Sequence, residues 1–560
     1  MLGHGIIDSL FPADLPEPEH WEQRYPPRRL PDGAEVTRFG PSPTGFVHIG
    51  GVYVAMIDQD IAARTGGRYL VRIEDTDQSR EVDGAVSQFQ RAFDYFGIQP
   101  TEGDGSGDYG PYRQSAREAI YLTFVRHLLR QNRAYLCFAT KDELAEIAQR
   151  QQDAKLPPGY YGSWAIWRDA EPAAVLAELA GATPYVVRFR APDDAAGRRV
   201  RFTDQIRGEL EHEANRNDVV ILKSSDLPLR LPTYHFAHVV DDHLMRTSLV
   251  IRGEEWISSV PLHLQLFDAF GFAAPRYAHI APLMKQITGG KRKLSKRKDP
   301  EAGVDFYITA GYPADAVLYY LRGLANGRLA ELPLADALHE PIRLQECGVA
   351  GPLVDLVKLA DISADEIATR TGEQILDAVR PWAATYDPEL AAVLETHHDL
   401  ALRALAVERD GVDNPRKDLR KWSDFRPAYG FFFAELFTLV DDPADERLGG
   451  LDPQLVHAFL ADFADGYQPL DDPQEWFDQI RRLAAKHGFA ANPKEYKKNP
   501  GSYPGSIREA AQLIRVTLTG STRSPNLHPI ATTLGPAEVR RRLHAPLPHS
   551  AGSAGSQLPE

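Results

Sequence analysis

The sequence predicts an α/β fold in its first half and an all-helical second half. Three observations carry this reading. Strand and helix patterns alternate from Glu35 to Phe96, as a parallel sheet with crossover helices requires. The alternation stops over residues 114–232 and resumes at Ser248, so a second module is inserted into the sheet domain. From about residue 300 onward the patterns are helical almost throughout.

Taken in order, residues 1–33 are rich in proline and charge and read as an extended lead-in. Glu35–Phe39 reads as a strand and is followed by a Pro/Gly turn. The apolar run Val52–Arg64 predicts a helix, stopped by Gly66 and Gly67. Tyr69–Ile73 is the next strand. Val82, Val86, Phe89, Phe93 and Phe96 recur at spacings of four, three, four and three, which predicts a helix that Gly97 ends. Within the inserted region, an α+β module, Tyr185–Arg190 and Val219–Lys223 read as strands. Ser248–Arg252 is a strand closed by Gly253, and a helix follows from Ser259 to Phe270. The sheet domain is therefore Rossmann-type and split in two. Helices are expected over Ala314–Leu324, Pro453–Phe463 and Trp476–His487, with no fixed-period repeat. The Ser-Ala-Gly run after Pro546 reads as a disordered tail.

Composition narrows the function classes. A chain of 560 residues has room for about three to five domains. Its two cysteines, Cys137 and Cys347, cannot make a disulfide framework or a four-cysteine zinc site, and a reducing cytoplasm is the simplest setting. The first residues carry charge and proline, unlike a secretory signal. No apolar run approaches the roughly 20 residues of a membrane span. The most apolar stretch, Tyr429–Val440, is broken by Glu435 and reads as a buried helix. A formal net charge of −15 argues against indiscriminate nucleic-acid binding while leaving room for local basic patches.

Two motifs carry chemistry. The fourteen residues Arg38–Gly51 lie between a strand and a helix, where a parallel sheet binds ligands. Gly50 and Gly51 let a ligand approach the backbone, the helix N-terminus favours phosphate, and His48 can donate to a phosphate oxygen. No Gly-Lys-Ser/Thr follows, so this is not a P-loop. The second motif, Lys293-Leu-Ser-Lys-Arg297, begins 245 positions after His48, behind Gly289 and Gly290, and reads as a mobile loop. Its lysines can offset charge that builds on a triphosphate during transfer. Alone, either segment would pass for an ordinary loop or a solvated basic patch.

Together they resemble the HIGH and KMSKS signatures of class I aminoacyl-tRNA synthetases. Six further strings, in order, narrow the resemblance to the bacterial-type glutamyl enzymes: Pro41–Gly45, Arg72–Asp77, Gly110–Ser115, Pro232–His235, Val239–His243 and Ile251–Trp256. The resemblance is strong over residues 35–310 and weaker to 545. It implies that Arg38, Gly40, Ser42, Glu74, Tyr234, His238 and Arg252 bind glutamate. His48, Gly50, Gly51, Glu255 and Lys296 would serve ATP, and His48, Lys293 and Lys296 would assist catalysis. The residue chemistry agrees, since glutamate's two carboxylates and one ammonium call for an arginine fork and a carboxylate, as Arg38, Arg252 and Glu74 supply. Arg72 is read as structural.

The resemblance further implies a glutamate–tRNA ligase that uses ATP with Mg2+, acts on L-glutamate and tRNA(Glu), and is compatible with charging tRNA(Gln). It implies a cytoplasmic monomer that does not engage membranes. The chain departs from the family pattern at Gly51, Gly40 and His238, and Cys137 stands alone where some relatives hold zinc, so neither structural zinc nor another metal site is expected. The implied organisation is an extension (1–33), the sheet domain in two halves (34–113 and 235–285) and an acceptor-binding insertion (114–234). A stem-contact domain (286–370), two helical anticodon-binding domains (371–450 and 451–545) and a tail (546–560) follow. The basic and aromatic clusters Arg416–Trp422 and Lys494–Lys498 suit RNA contact. A glutaminyl enzyme is disfavoured by Ser42 and by the helical second half. A shortened relative that modifies a tRNA base lacks such a half, and a non-catalytic descendant is disfavoured by intact His48, Lys293 and Lys296.

Overall fold

The computed structural model describes residues 2–43, 45, 47–77 and 84–545. Val82 of the second expected helix and the expected tail lie outside the described residues. Two compact units are formed: Met1–Ile308 with Ala314–Asp355, and Thr309–Pro313 with Leu356–Glu560.

The first unit corrects the reading of residues 1–33 as extended. Helices α1 (His4–Ser9) and α2 (Pro18–Arg24) form there. Ile7, Phe11, Leu15 and Tyr25 are buried in one core with the later helix Glu118–Arg130. Ile7 lies on α1 while Phe11 and Leu15 follow it in irregular chain, and the prolines that suggested an extended chain merely punctuate short elements.

The sheet begins with β1 (Val36–Phe39), which pairs in parallel with β2 (Arg68–Val71), Val36 opposite Arg68. The crossover helix α3 (Ile49–Thr65) starts three residues before the expected Val52, because the His48 side chain caps it by accepting the Gly50 N–H. It ends at Gly66, whose φ of 69° is the left-handed cap expected there. Helix α4 (Ala85–Phe96) sets Phe89 and Phe93 against Phe39. Helix α5 (Glu118–Arg130) leads into the inserted region.

In that region β3 (Ala134–Cys137) is followed by α6 (Lys141–Asp153) and α7 (Pro172–Ala180), then β4 (Val186–Phe189). The hairpin β5 (Arg199–Asp204) and β6 (Gly208–Glu213) precedes β7 (Val220–Leu222). Strands β3, β4 and β7 form their own antiparallel sheet. The hairpin does not join them. After α8 (Tyr234–Leu244), β8 (Leu249–Gly253), α9 (Val260–Phe270) and β9 (Arg276–Ile280), the order β6-β5-β9-β8 emerges, with Asp204 opposite Tyr277. The Ser248 N–H donates to the Val36 carbonyl at 3.0 Å, which sets β8 beside β1. The two halves thus bring the carboxyl ends of β1 and β8 together.

The basic motif is not a free loop. Strands β10 (Met284–Ile287) and β11 (Gly290–Lys293) make an antiparallel hairpin whose turn holds Gly289, and the motif leaves its second arm. Helices α10 (Val304–Ala310), α11 (Ala314–Ala325) and α12 (Leu334–His339) follow.

The second unit carries no strand among its described residues, apart from one isolated bridge between Ala490 and Ser506. One core gathers Ile367 to Phe433, the other Val440 to Leu543. Helices Pro453–Gly466 and Pro473–Lys486 each open on an Asp-Pro pair whose aspartate caps the first turn. The Asp472 cap starts the latter about one turn before the expected Trp476. The expected helix over Tyr429–Val440 is also corrected. A helix ends at Tyr429, a 3-10 turn spans Gly430–Phe432, and the chain beyond is irregular. Phe431 to Phe433 are consecutive and cannot share one helical face, yet Phe432 and Phe433 are both buried.

Candidate functional site

A cavity of about 440 Å³ opens at the carboxyl ends of β1 and β8. Six of the seven expected glutamate residues line it: Arg38, Gly40, Ser42, Glu74, Tyr234 and Arg252. The geometry explains the small residue at position 40, where any Cβ would collide with the Glu74 carboxylate.

The seventh, His238, is fully buried behind this wall, with its ring stacked on Tyr234 at 6.0 Å. Its Nδ1 lies 2.9 Å from Asp242 and its Nε2 3.2 Å from the Tyr277 hydroxyl. Burial pushes the imidazole down to about 3.

The charges behind the cavity are paired before any ligand arrives. Arg72, with no exposed surface, reaches Glu74 at 3.0 Å and Asp242 at 2.6 Å, which bears out its structural reading. Arg38 lies 3.5 Å from the same Asp242. Asp241 takes bonds from Arg117 at 2.7 Å, Gln114 at 2.8 Å and Tyr121 at 2.8 Å. Burial works against the Asp242 anion, but Arg72 and Arg38 hold it well below the carboxylate range. Burial pushes Glu74 up, against the pull of the same two arginines. Such pairing fixes geometry more than it stabilises, because desolvation offsets much of the Coulomb gain. Among the described residues no carboxylate forms an ion pair with Arg252, so within them its charge meets the cavity without an ionic partner.

Sequence reasoning assigned no role to Thr76, Asp77, Lys223 or Trp256, which also line this cavity. Lys223 follows β7 and its ammonium donates to the Thr76 carbonyl. A cation closing the apolar run Val219–Lys223 was the available signal.

A second cavity, about 310 Å³, shares Val54 and Gly253 with the first. His48, Gly50, Gly51, Glu255 and Lys293 line it. Lys296 is not on its wall but on the exposed side of the loop, close enough for its charge to act on His48. The two motifs meet here, with His48 Nε2 3.4 Å from the Leu294 carbonyl. The Gly50 N–H donates to His48 Nδ1 at 2.8 Å, so Nδ1 is bare and the proton sits on Nε2. Burial, then the nearby Lys296 and Lys293, lower this imidazole, which keeps it neutral and a donor. Lys293 pairs with Glu255 at 3.1 Å across the cavity.

Asp299 anchors the loop. It takes Arg292 through two bonds at 2.6 and 2.8 Å, the Ser295 N–H at 2.9 Å and Lys285 at 3.0 Å. Among the described residues no group of three His, Cys, Asp or Glu side chains is placed to hold a metal ion. The string Asp241-Asp242-His243 is spent on arginines and on Glu22, which His243 meets at 2.6 Å. Cys137 and Cys347 are both free and buried. Among the described residues no helix is long and apolar enough to cross a membrane.

Comparison with known proteins identifies the family. Residues 35–337 match the family model for the catalytic domain of class I tRNA synthetases (E and Q), and residues 505–547 match an anticodon-binding domain. The chain is 39% identical to the glutamate–tRNA ligase of Clostridium beijerinckii, over 96% of this chain and 98% of that one. Against the glutamate–tRNA ligase of Sorangium cellulosum it is 38% identical, over 95% and 98%. A crystal structure of a glutamate tRNA ligase from Elizabethkingia meningosepticum, in complex with its amino acid, superposes with a TM-score of 0.73 at 26% identity, covering 91% of this chain and 98% of that one.

Proposed function

The chain belongs to the class I tRNA synthetases of the glutamate and glutamine type, within them to the glutamate–tRNA ligases, and from that premise we propose how its residues divide the work. The observation that carries the proposal is the shared wall. A cavity holding the uncompensated Arg252 adjoins, through Val54 and Gly253, a second cavity at a helix N-terminus.

Glutamate occupies the first cavity. Arg252 and Arg38 take its carboxylates, and Glu74 with Ser42 takes its ammonium. His238 acts from behind, by holding Asp242 and Tyr234 in place. The uncompensated charge of Arg252 selects glutamate over glutamine, whose side-chain amide gives a cation no partner ion. ATP occupies the second cavity, with its phosphates at the N-terminus of α3 and at His48 Nε2. Lys293 and Lys296 neutralise charge as the phosphates separate. Magnesium would arrive on the triphosphate and add to that neutralisation, because Glu255 is the one carboxylate among the described residues on this cavity's wall and Lys293 already pairs with it.

In the first step an oxygen of the glutamate α-carboxylate attacks the α-phosphorus, and pyrophosphate leaves with the electron pair of the broken P–O bond. In the second, a terminal ribose hydroxyl of the tRNA attacks the activated carbonyl, AMP leaves, and the hydroxyl proton is released. No side-chain nucleophile is needed, and positioning with charge neutralisation carries the acceleration. Residues 114–234, apart from the hairpin β5–β6 that joins the catalytic sheet, hold the acceptor end, and the helical unit reads the anticodon, with Arg416–Trp422 and Lys494–Lys498 among its contacts. The enzyme works as a cytoplasmic monomer.

The test is charging of purified tRNA(Glu) and tRNA(Gln) with labelled glutamate or glutamine and ATP. Glutamate on tRNA(Glu) alone marks a discriminating enzyme, and glutamate on both marks a tolerant one. Glutamine charging would sink the reading of Arg252.

A further inference from the structure

Behind the amino-acid cavity a line of side chains runs through Arg252, and its other members have no part in that division of labour. Asp204 ends β5 and is buried. Its Oδ2 accepts the backbone N–H of His279 at 3.0 Å and faces His279 Nδ1 at 2.6 Å. Its Oδ1 accepts the backbone N–H groups of Ile206 and Arg207, both at 3.0 Å. On its other side, His279 Nε2 receives Arg252 Nε–H at 3.1 Å. Arg252 Nη2 donates to His263 Nδ1 at 3.3 Å, and His263 Nε2 lies 3.0 Å from His235 Nδ1.

The protons in this line follow from elementary chemistry. Arginine has donors only. His279 Nε2 and His263 Nδ1 are therefore bare. The proton of His279 sits on Nδ1, toward Asp204, and that of His263 on Nε2, toward His235. Both protons point away from Arg252. Burial depresses all three imidazoles, His235 to about 4, which keeps them neutral. The other groups facing the line are Arg207, which donates to the His279 carbonyl at 3.2 Å, and Tyr277, Tyr234 and His238, with Asp242 beyond His238.

Two ways of holding an arginine stand side by side. Arg38 and Arg72 share Asp242 directly, which fixes them and cancels charge. Arg252 is held through neutral groups, the rings of His279 and His263 at 3.1 and 3.3 Å and the longer bonds to the Tyr234 hydroxyl and the Trp256 carbonyl, both at 3.4 Å, with the anion one residue removed. We propose that Asp204 and His279 are positioning residues for glutamate recognition, fixing the rotation of the Arg252 guanidinium while leaving its charge for a substrate carboxylate. This rests on the reading of Arg252 as a glutamate ligand. It gives the hairpin β5–β6, which joins the catalytic sheet through Asp204 and Tyr277, a part in substrate selection.

The experiment measures KM for glutamate and for ATP in tRNA charging, for the wild type and for R252Q, D204N, H279L and H279Q. D204N and H279L are expected to raise the glutamate KM about tenfold or more, with the ATP KM changed by less than about twofold. D204N must turn its amide N–H2 toward donors that both oxygens of Asp204 accept. H279Q places an acceptor where Nε2 stood and is expected to recover most of the loss. Thermal melts separate this from misfolding, and if H279L fails to fold, the nearly isosteric D204N decides. A normal glutamate KM in folded D204N, or glutamate and ATP KM rising together, would overturn the proposal. A normal glutamate KM in R252Q would instead remove the reading of Arg252 on which it rests.

Discussion

The two adjoining cavities are built on opposite electrostatic plans. Behind the amino-acid cavity the charges are buried, crossed and prepaired, with Arg72, Arg38, Asp242 and Glu74 almost without exposed surface, and Arg252 alone of these arginines is left without a carboxylate among the described residues. The nucleotide cavity instead carries its charge at exposed positions, with the Lys293 and Glu255 side chains 58% and 51% exposed. A small substrate distinguished from its amide by one charge needs a site that does not rearrange. A triphosphate whose charge is redistributed during transfer needs cations that can follow it. A buried, crossed network and a pair of exposed charges are each placed where the chemistry needs them.

The sharpest way to break the comparison is to remove the anion at the centre of the rigid side. Asp242→Ala leaves Arg72 and Arg38 buried without their shared partner. A loss of about 3–5 kcal/mol of stability is expected, read as the fall in unfolding free energy in denaturant titration. Asp242→Asn, which keeps the shape and some hydrogen bonding, should lose less. A loss under about 1 kcal/mol for the alanine variant would mean that water replaces the carboxylate, and that the site is less rigid than its pairing implies.

Much of this plan is legible in the sequence, and the part that is not has a physical reason. Segments that line the cavities are short strings with local meaning, so Arg38 to Gly51 and Ile251 to Trp256 can be placed at strand ends from the residue pattern alone. Partnerships behind the cavity are long-range and leave no local trace. Nothing near Asp242 says that it pairs with Arg72, 170 positions earlier in the chain. Without the resemblance, the same string of Asp and His residues would invite a metal reading. His238 is expected on the cavity wall from the resemblance alone, and although it sits one turn after Tyr234 on α8, a place on a helix fixes a face and not a depth. The first 33 residues mislead for a different reason. Proline and charge content outweighs an apolar spacing of four in a segment too short for periodicity to be decisive.

A smaller effect sharpens the contrast through pH. Burial depresses His235 to about 4 and His238 to about 3, against an ordinary value near 6.5. Below about pH 6.5 the unfolded chain binds these protons and the folded protein does not. Stability is therefore full above that pH and is lost as pH falls toward about 4, by up to about 1.4 kcal/mol per pH unit for each such ring. Melting temperature followed from pH 7 to 5 should decline, and His235→Gln should flatten the decline. An unchanged slope in that variant would show that His235 takes up its proton in the folded state. The nucleotide side adds His48 to the same trend, since burial and the two lysines lower it.

The smallest expected effect lies in the exposed pair. Lys293 and Glu255 meet at 3.1 Å, yet both are more than half exposed, so water and salt screen their attraction. A double-mutant cycle on stability with K293A and E255A should return a coupling below about 1 kcal/mol, vanishing near ~0.5 M salt. A weak pair is what a cation needs if it is to leave its partner for a phosphate, because a strong one would compete with ATP for the lysine. A coupling above about 2 kcal/mol, insensitive to salt, would mean that Lys293 is held as firmly as the buried arginines and that the two cavities share one plan after all.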